Sequence, residues 1–422
     1  MGSEVQWLEK PLGAVTCNHD GKRKPVKESE RKKGPYPYYG ASGIVDYVDG
    51  YLFEGRHLLI AEDGENLRTR QTPIAFMADG KFWVNNHAHI VTGNGEVTTE
   101  YLLYFLQNAD IQSYLTGAVM PKLTQGNLNR IPVRYPEPDY QRSIVRALGA
   151  LDSKIDLNLL INQTLEAIAQ AIFKSWFVDF EPVKAKLVAL AEDRDPLRAA
   201  MSAISGKPDA ELDMLLPEQY EQLAATAALF PDEMEKSELG EIPRGWQVQR
   251  VGSVLELVYG KALKSTDRQK GNVPVYGSGG ITGYHNTPLV QHGSIIVGRK
   301  GTVGSLYWED KPFFPIDTTY YVRPLAAPLT FCYYAMQTLG LEKMNTDAAV
   351  PGLNRENVYR LELVLPDVSV LKKFDLDVST LRKAIRANAE SNKALANLRD
   401  SLLPKFLSGE LSVTEAMAEA ET

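Results

Sequence analysis

The sequence predicts a mixed α/β (α+β) chain. It has two similar globular domains separated by two long antiparallel coiled-coil helices, the whole forming an internal pseudo-two-fold repeat. Three observations predict this. A glycine-rich phrase occurs twice, as YGASGI from Tyr39 and YGSGGI from Tyr276, a separation of 237 residues. Short β-type runs punctuated by Gly and Pro, such as HLLIA and SIIVG, precede a helical patch in each copy. Each copy then closes on a segment whose apolar residues recur at alternating steps of four and three.

The copies align along most of their length. Tyr47 overlies Tyr284 and Gly64 overlies Gly301; further on the offset becomes 230, because the first copy carries about seven extra residues. Pro121, Leu123, Asn127 and Arg130 then match Pro351, Leu353, Asn357 and Arg360, and Trp7 and Gly13 match Trp246 and Gly252 near the start. A period this long excludes a solenoid. The expected division is 1–138 for the first domain, 139–181 for the first spacer helix, 182–240 for an acidic helical linker, 241–366 for the second domain and 367–410 for the second spacer helix.

The first heptad seam runs from Ile144 through Leu151, Ile155, Asn158, Asn162 and Leu165 to Trp176. The second runs from Phe374 through Leu381, Ile385, Asn388, Asn392 and Leu395 to Phe406. Four or more heptads imply a coiled coil, and about 38 residues at ~1.5 Å each make a rod roughly 55–60 Å long. Each seam carries two asparagines. An amide facing leucine would lose a hydrogen bond at a cost of about 1–3 kcal/mol, so the Asn layers are expected to meet and set register. Antiparallel pairing is what a pseudo-two-fold axis requires.

Composition narrows the function classes. The net charge of −7 argues against a nucleic-acid binder only until it is mapped. Residues 1–135 balance, 242–366 carry +4, and 181–241 carry −8, so the acidity is concentrated in the linker. Cys17 and Cys332 give neither a disulfide framework nor a four-ligand zinc site. His87 and His89 alternate along NNHAHI, but a strand or loop without metal is the simpler reading, and no metal site is expected. No apolar run is long enough to span a bilayer, so no membrane partner is expected and a cytoplasmic location is.

Catalytic signatures are missing too. The segments GSGGITG (Gly277–Gly283) and GRKGTVG (Gly298–Gly304) echo nucleotide loops, but neither sits in a clear strand–helix unit with an acidic residue about 20 positions on. In GSIIVGRK, Arg299 stands where a P-loop needs Lys. The chain contains no Pro-Pro, which the amino-methyltransferase signature requires. Asp152 and Lys154 mimic a nuclease pattern, but two residues apart on a helix they point away from each other. No catalytic residue is expected.

In these motifs the chain resembles the specificity (S) subunits of type I restriction–modification enzymes along nearly its whole length. The likeness is carried by GEIPRGW (Gly240–Trp246), the two glycine phrases, NNHAHI, FFPIDTT (Phe313–Thr319), VMPKLTQGNL (Val119–Leu128), AVPGLNRENV and IFKSWFVDFEPVKAK (Ile172–Lys186), in order. The resemblance implies a non-catalytic subunit with two target recognition domains, each reading one half of a bipartite, asymmetric site on double-stranded DNA. The helices would dock two methyltransferase (M) subunits and, through them, restriction (R) subunits. S-adenosylmethionine, ATP and Mg would reside on those partners and no cofactor on this chain. A linker longer and more acidic than a minimal one departs from the pattern.

Three groups are candidates for DNA contact. Lys22, Arg23 and Lys24 open a basic run suited to phosphates, which a solvated loop would equally explain. Arg299 and Lys300 follow an apolar strand, at an end where a loop would face a ligand. Lys122, Thr124, Gln125 and Asn127, with Asn354 and Arg355 in the second copy, offer side chains that read base edges. Tyr39, Tyr47, Tyr276 and Tyr284 are expected to pack inside. Two rival readings stay open: the recognition subunit of another restriction–modification class with a fused nuclease–methylase partner, and a glycine-loop nucleotide-binding enzyme.

Overall fold

The computed structural model describes residues 5–344 and 352–413; Pro351, matched above to Pro121, lies outside them. The chain forms two compact units. One joins everything up to Asn158 with everything from Glu390 onward, and the other is Leu159–Ala389. The two long helices, Pro138–Phe177 and Val368–Ser408, each contribute one end to each unit.

The same topology is built twice. In the first unit a four-stranded antiparallel sheet has the order Thr16–Asn18, Ala88–Gly93, His57–Ala61, Ala75–Ala78. The second unit repeats it as Leu255–Tyr259, Thr319–Pro324, Ser294–Gly298, Leu306–Glu309. The glycine phrases lie in the turns of the hairpins Lys33–Gly40/Gly43–Val48 and Val273–Gly277/Gly280–His285. A short pair, Leu8–Pro11 with Pro132–Tyr135, recurs as Gln247–Arg250 with Glu362–Leu365.

Most of the length difference has one source. Leu59 pairs with Phe76, 17 residues on, whereas the matching Ile296 pairs with Tyr307, 11 residues on. The longer connection contains the extra helical turn Asn66–Thr69, which ends on Arg70 in a left-handed conformation at φ 53°. From there the Arg70 guanidinium donates to the carbonyls of Leu106, Gln107 and Ala109, which lie at or just past the end of helix Thr99–Asn108. The extra residues therefore supply a C-terminal cap to that helix.

Inside each unit the helix ends run antiparallel, and apolar seam residues merge with the domain core. In the second unit Phe173 and Phe177 pack on Phe331 and Phe374 with ring centroids 5.0–5.8 Å apart, and Trp176 packs on Phe230 at 5.1 Å. This is the structural use of the aromatic end of IFKSWF. In the first unit Leu403, Phe406 and Leu407 join Ile144, Leu148 and Tyr104 in one core. Gly409 follows the second long helix at φ 75°, and a Cβ there would lie 2.8 Å from the Trp7 indole nitrogen, so glycine is required both by the conformation and by the contact.

Polar contacts fix the pairing within each unit. Asn158 donates to the Asn392 side-chain oxygen at 2.8 Å, and Asn392 donates to the Ile155 carbonyl at 3.3 Å. In the second unit Asn388 donates to the Asn162 oxygen at 2.9 Å, and Asn162 to the Ile385 carbonyl at 3.3 Å. Each layer thus satisfies its own amides. Nearby, Arg399 pairs with Asp152 at 2.7 Å, and the Tyr104 hydroxyl donates to the same carboxylate at 2.7 Å. In the second unit Arg382 pairs with Glu166 at 3.3 Å, and the Tyr334 hydroxyl donates to that carboxylate. Tyr104 and Tyr334 match at the 230 offset, yet the acid sits on the first long helix and the arginine on the second in both units.

Two of the four tyrosines expected inside are not there. Tyr276 is buried and Tyr39 packs on Phe76 and Phe82, but Tyr47 and Tyr284 are 52% and 56% exposed. Both lie on the second strands of the hairpins, which are exposed along most of their length and offer the rings no core to enter. The linker folds as helices Glu181–Ala191, Pro196–Ser205, Asp209–Leu212 and Pro217–Ala228 around a small core of Ala200, Met201, Leu212 and Ala227. Arg198 bridges Asp209 and Asp213 there, each at 2.8 Å, which neutralises part of the acidic surface.

Candidate functional site

The candidate DNA-contact residues gather, in each unit, where the central strand of the four-stranded sheet ends beside a short helix. In the first unit that strand is His57–Ala61 and the helix is Gln125–Leu128; in the second they are Ser294–Gly298 and Arg355–Tyr359. Strand register makes the loci correspond. Ile60 pairs with His89 and Val297 with Tyr320. His89 then bonds the Leu123 carbonyl through Nε2 at 2.7 Å, and the Tyr320 hydroxyl donates to the matching Leu353 carbonyl at 2.9 Å. One contact is made by two different side chains.

Around that shared contact the chemistry diverges. In the first unit His89 Nδ1 lies 2.6 Å from Asp20, whose other oxygen accepts the Ile90 N–H at 2.8 Å. Each ring nitrogen of His89 thus faces an oxygen, one of Asp20 and one of Leu123. Arg23 reaches Glu62 at 2.7 Å, Asp20 at 3.3 Å and the Ala88 carbonyl at 2.7 Å, and Lys122 reaches Glu62 at 3.1 Å. Burial alone would raise the Asp20 and Glu62 carboxyls. For Asp20 the bonds from His89 and Ile90 with the nearby positive charges, and for Glu62 the bonds from Arg23 and Lys122 with the charge of His89, hold them below the ordinary range. Outside this network His87 pairs with Asp63 at 2.7 Å.

The second unit replaces the acids with rings and guanidiniums. Tyr259 pairs across the sheet with Tyr320, their ring centroids 4.9 Å apart. Arg299 lies over Tyr259 at 4.9 Å and over Tyr320 at 5.9 Å; Arg355 lies over Tyr259 at 5.2 Å and over Tyr359 at 5.5 Å. Arg299 also donates to the Asp317 carbonyl at 3.0 Å. Burial, with the neighbouring Tyr259 contact, pushes the Tyr320 phenol up to about 12.

The expected residues therefore separate into inward and outward groups. Arg23, expected on phosphates, keeps only 14% of its side chain exposed, because Asp20 and Glu62 already neutralise it. Thr124 and Asn354 cap the short helices, accepting the N–H of Asn127 at 3.3 Å and of Glu356 at 2.8 Å. Asn127 holds the Tyr114 carbonyl at 2.8 Å. Lys22, Lys24, Lys122, Gln125, Lys300 and Asn354 are exposed, and Arg299 and Arg355 are partly so. Lys300 also bridges Gly352 through the backbone. The glycine phrases make no phosphate cradle: Gly298–Gly304 turns into the strand Leu306–Glu309, and Gly277–Gly280 closes a hairpin. Among the described residues no group of three or more His, Cys, Asp or Glu could hold a metal, and no helix is long and apolar enough to cross a membrane.

Comparison with known proteins decides the family. The profile described as type I restriction modification DNA specificity domain matches the chain twice, at residues 4–167 and 243–391. The chain belongs to the type I restriction–modification specificity family. It is 28% identical over 415 residues to the type I restriction enzyme HindI specificity subunit of Haemophilus influenzae, covering 87% of this chain and 86% of that one. It is 23% identical over 466 aligned positions to the MjaIX specificity subunit of Methanocaldococcus jannaschii, covering 98% of each. The fold is similar to that of the crystal structure of a type I restriction-modification S subunit from M. genitalium, with a TM-score of 0.53 at 15% identity over 96% of this chain and 97% of that one.

For a specificity subunit the informative residues are those that differ between the duplicated domains. Sequence reasoning passed over Asp20 and Glu62 in one copy and Tyr259 and Tyr320 in the other, and weighed His89 only as a metal ligand. A signal was present at the 237 offset, where Glu62 overlies Arg299 and Asp63 overlies Lys300, two successive charge reversals.

Proposed function

We propose that this chain is the DNA-reading and assembly subunit of a complete type I system, in which each unit reads one half of a bipartite, asymmetric site in the major groove. The observation that carries this reading is one scaffold built twice with opposite chemistry at the same locus. Two unlike readers are what an asymmetric, interrupted sequence requires, whereas a palindrome would need two alike. The paired helices serve as the ruler between half-sites and, through their approximate symmetry, as docking surfaces for two M subunits, with R subunits joining through them. On this reading S-adenosylmethionine, ATP and magnesium belong to those partners, the complex works in the cytoplasm, and this chain's residues bind and orient DNA. Exposed Lys22, Lys24, Lys122 and Lys300 suit phosphate contact, which positions without specifying.

The test is to shorten the ruler. Removing one heptad from each long helix takes out about 10 Å of rise, roughly three base-pair steps. The gap in the methylated motif is expected to change while the bases of both half-sites stay the same. An unchanged gap would remove the ruler from the account.

A further inference from the structure

We propose that the residue just after the cap of each short helix reads one base of its half-site, Arg355 a guanine and Gln125 an adenine. The inference rests on the DNA-reading function proposed above and assigns it to one position per unit.

The two positions are equivalent. Thr124 and Asn354 both cap their helices, Leu123 and Leu353 both offer a carbonyl to the sheet, and Gln125 and Arg355 follow at the same step. The scaffold is held constant and the side chain is not. Every half-site presents the same phosphates, so a phosphate contact has no reason to differ between two copies of one reader. Base edges do differ. A position that changes from Gln to Arg while its frame is kept is therefore placed for bases, and the neighbouring reversals from Glu62 to Arg299 and Asp63 to Lys300 mark the same locus as the one that diverged.

The Arg355 side chain is prepared for an oriented contact. Its guanidinium lies over Tyr259 at 5.2 Å and over Tyr359 at 5.5 Å, about a third of the side chain is exposed, and its one ionic neighbour among the described residues, Glu356, stands at 3.5 Å. Nε is buried and makes no hydrogen bond to a described residue, so a base contact falls to the two terminal nitrogens, one of which already bonds Glu356. A guanidinium held close to two rings has fewer directions open to it than a free one, which favours a fork-like contact with the O6 and N7 acceptors of guanine; a phosphate needs only a nearby positive charge. Arg299, over the same Tyr259 ring and tied to the Asp317 carbonyl, acts as a positioning residue for that stack. Gln125 is exposed at the corresponding place, and its amide can accept from N6–H and donate to N7 of adenine.

The experiment is methylome sequencing of cells carrying the complete system with the unaltered chain, with Arg355→Gln, or with Gln125→Arg. The unaltered chain is expected to require guanine at one position of the second half-site. Arg355→Gln should weaken that preference by roughly 5- to 150-fold, toward adenine, leaving the first half-site and the gap unchanged. Gln125→Arg should make the reverse change at one position of the first half-site only. Modification lowered equally at every site, with no base altered, would make Arg355 a phosphate contact and overturn the inference, as would a changed base in the wrong half. Should the Arg355→Gln chain modify nothing, the Gln125→Arg arm decides, because Gln125 lies on the surface and supports no packing: a base change there upholds the assignment and an unaltered motif ends it. A continuous motif from the unaltered chain would instead overturn the function itself, and this inference with it.

Discussion

The locus at the end of the central strand is a salt-bridged cluster in the first unit and an aromatic–guanidinium stack in the second. Asp20, Glu62 and His89 stand where Tyr259, Arg299 and Tyr320 stand, yet the strands, the short helix and the bond to the Leu123 or Leu353 carbonyl are retained. The backbone frame depends on ladder bonds and buried aliphatic residues, to which either chemistry can be attached. The chemistry at this locus is therefore free to vary while the fold is not.

The sharpest way to break this comparison is to remove one arginine from each unit. Arg23→Ala takes one partner from each of two largely buried carboxylates, leaving Asp20 with His89 and the Ile90 N–H and Glu62 with Lys122, and is expected to destabilise the first unit by about 1–3 kcal/mol. Arg299→Ala removes a partly exposed ring contact worth about 0.5–1 kcal/mol. Hydrogen exchange resolved by unit measures both, and equal losses would show that the two loci are held together in the same way.

The Asn layers sharpen the symmetry of the frame. Asn158→Leu should cost about 1–3 kcal/mol by leaving the Asn392 side-chain oxygen without its donor, and Asn388→Leu should cost the same at the Asn162 oxygen. Leucine at both positions of either layer should restore stability while weakening register, seen as a blurred gap in the modified motif. A smaller difference is expected from charge reversal. Asp152→Arg should cost about 1–2 kcal/mol and be rescued by Arg399→Asp. Arg382→Asp should be rescued only in part by Glu166→Arg, because Arg382 also stacks on Trp308 at 4.0 Å.

The pH responses should also separate the units. The Asp20 and Glu62 carboxyls are depressed in the fold, so their contribution is present above the ordinary carboxylate range, about 4, and is lost as pH falls through their folded values. The Tyr320 phenol is raised, so the second unit keeps its contribution below about 10 and loses it as pH rises through about 12. Near-ultraviolet circular dichroism across both limits should find the acid loss in the first unit, whereas alkali should reach both, because burial also raises the Tyr101 and Tyr104 phenols of the first unit.

The fold was legible because its signals are periodic. The 237 and 230 offsets, the alternation of HLLIA and SIIVG with turns, and the seam asparagines all survive in one sequence without a partner for comparison. The site was less legible because its signals are relational. Arg23 reads as a loop cation until Asp20 and Glu62 are brought beside it, and Thr124 and Asn354 read as base contacts until the short helices show them as caps. Tyr47 and Tyr284 were placed inside because aromatics in strands usually pack, but at these hairpin positions they point outward. The charge reversal at Glu62/Arg299 could be read from the sequence by aligning the copies for their differences instead of their identities.

On the proposed function each unit is a separate reader. Replacing residues 1–138 with the corresponding domain of another family member, in a cell carrying the rest of the system, and sequencing the methylome tests this most directly. One half of the motif is expected to be exchanged, with the other half and the gap unchanged. Both halves changing together, or the motif losing its gap, would mean that the two units read DNA as a single surface.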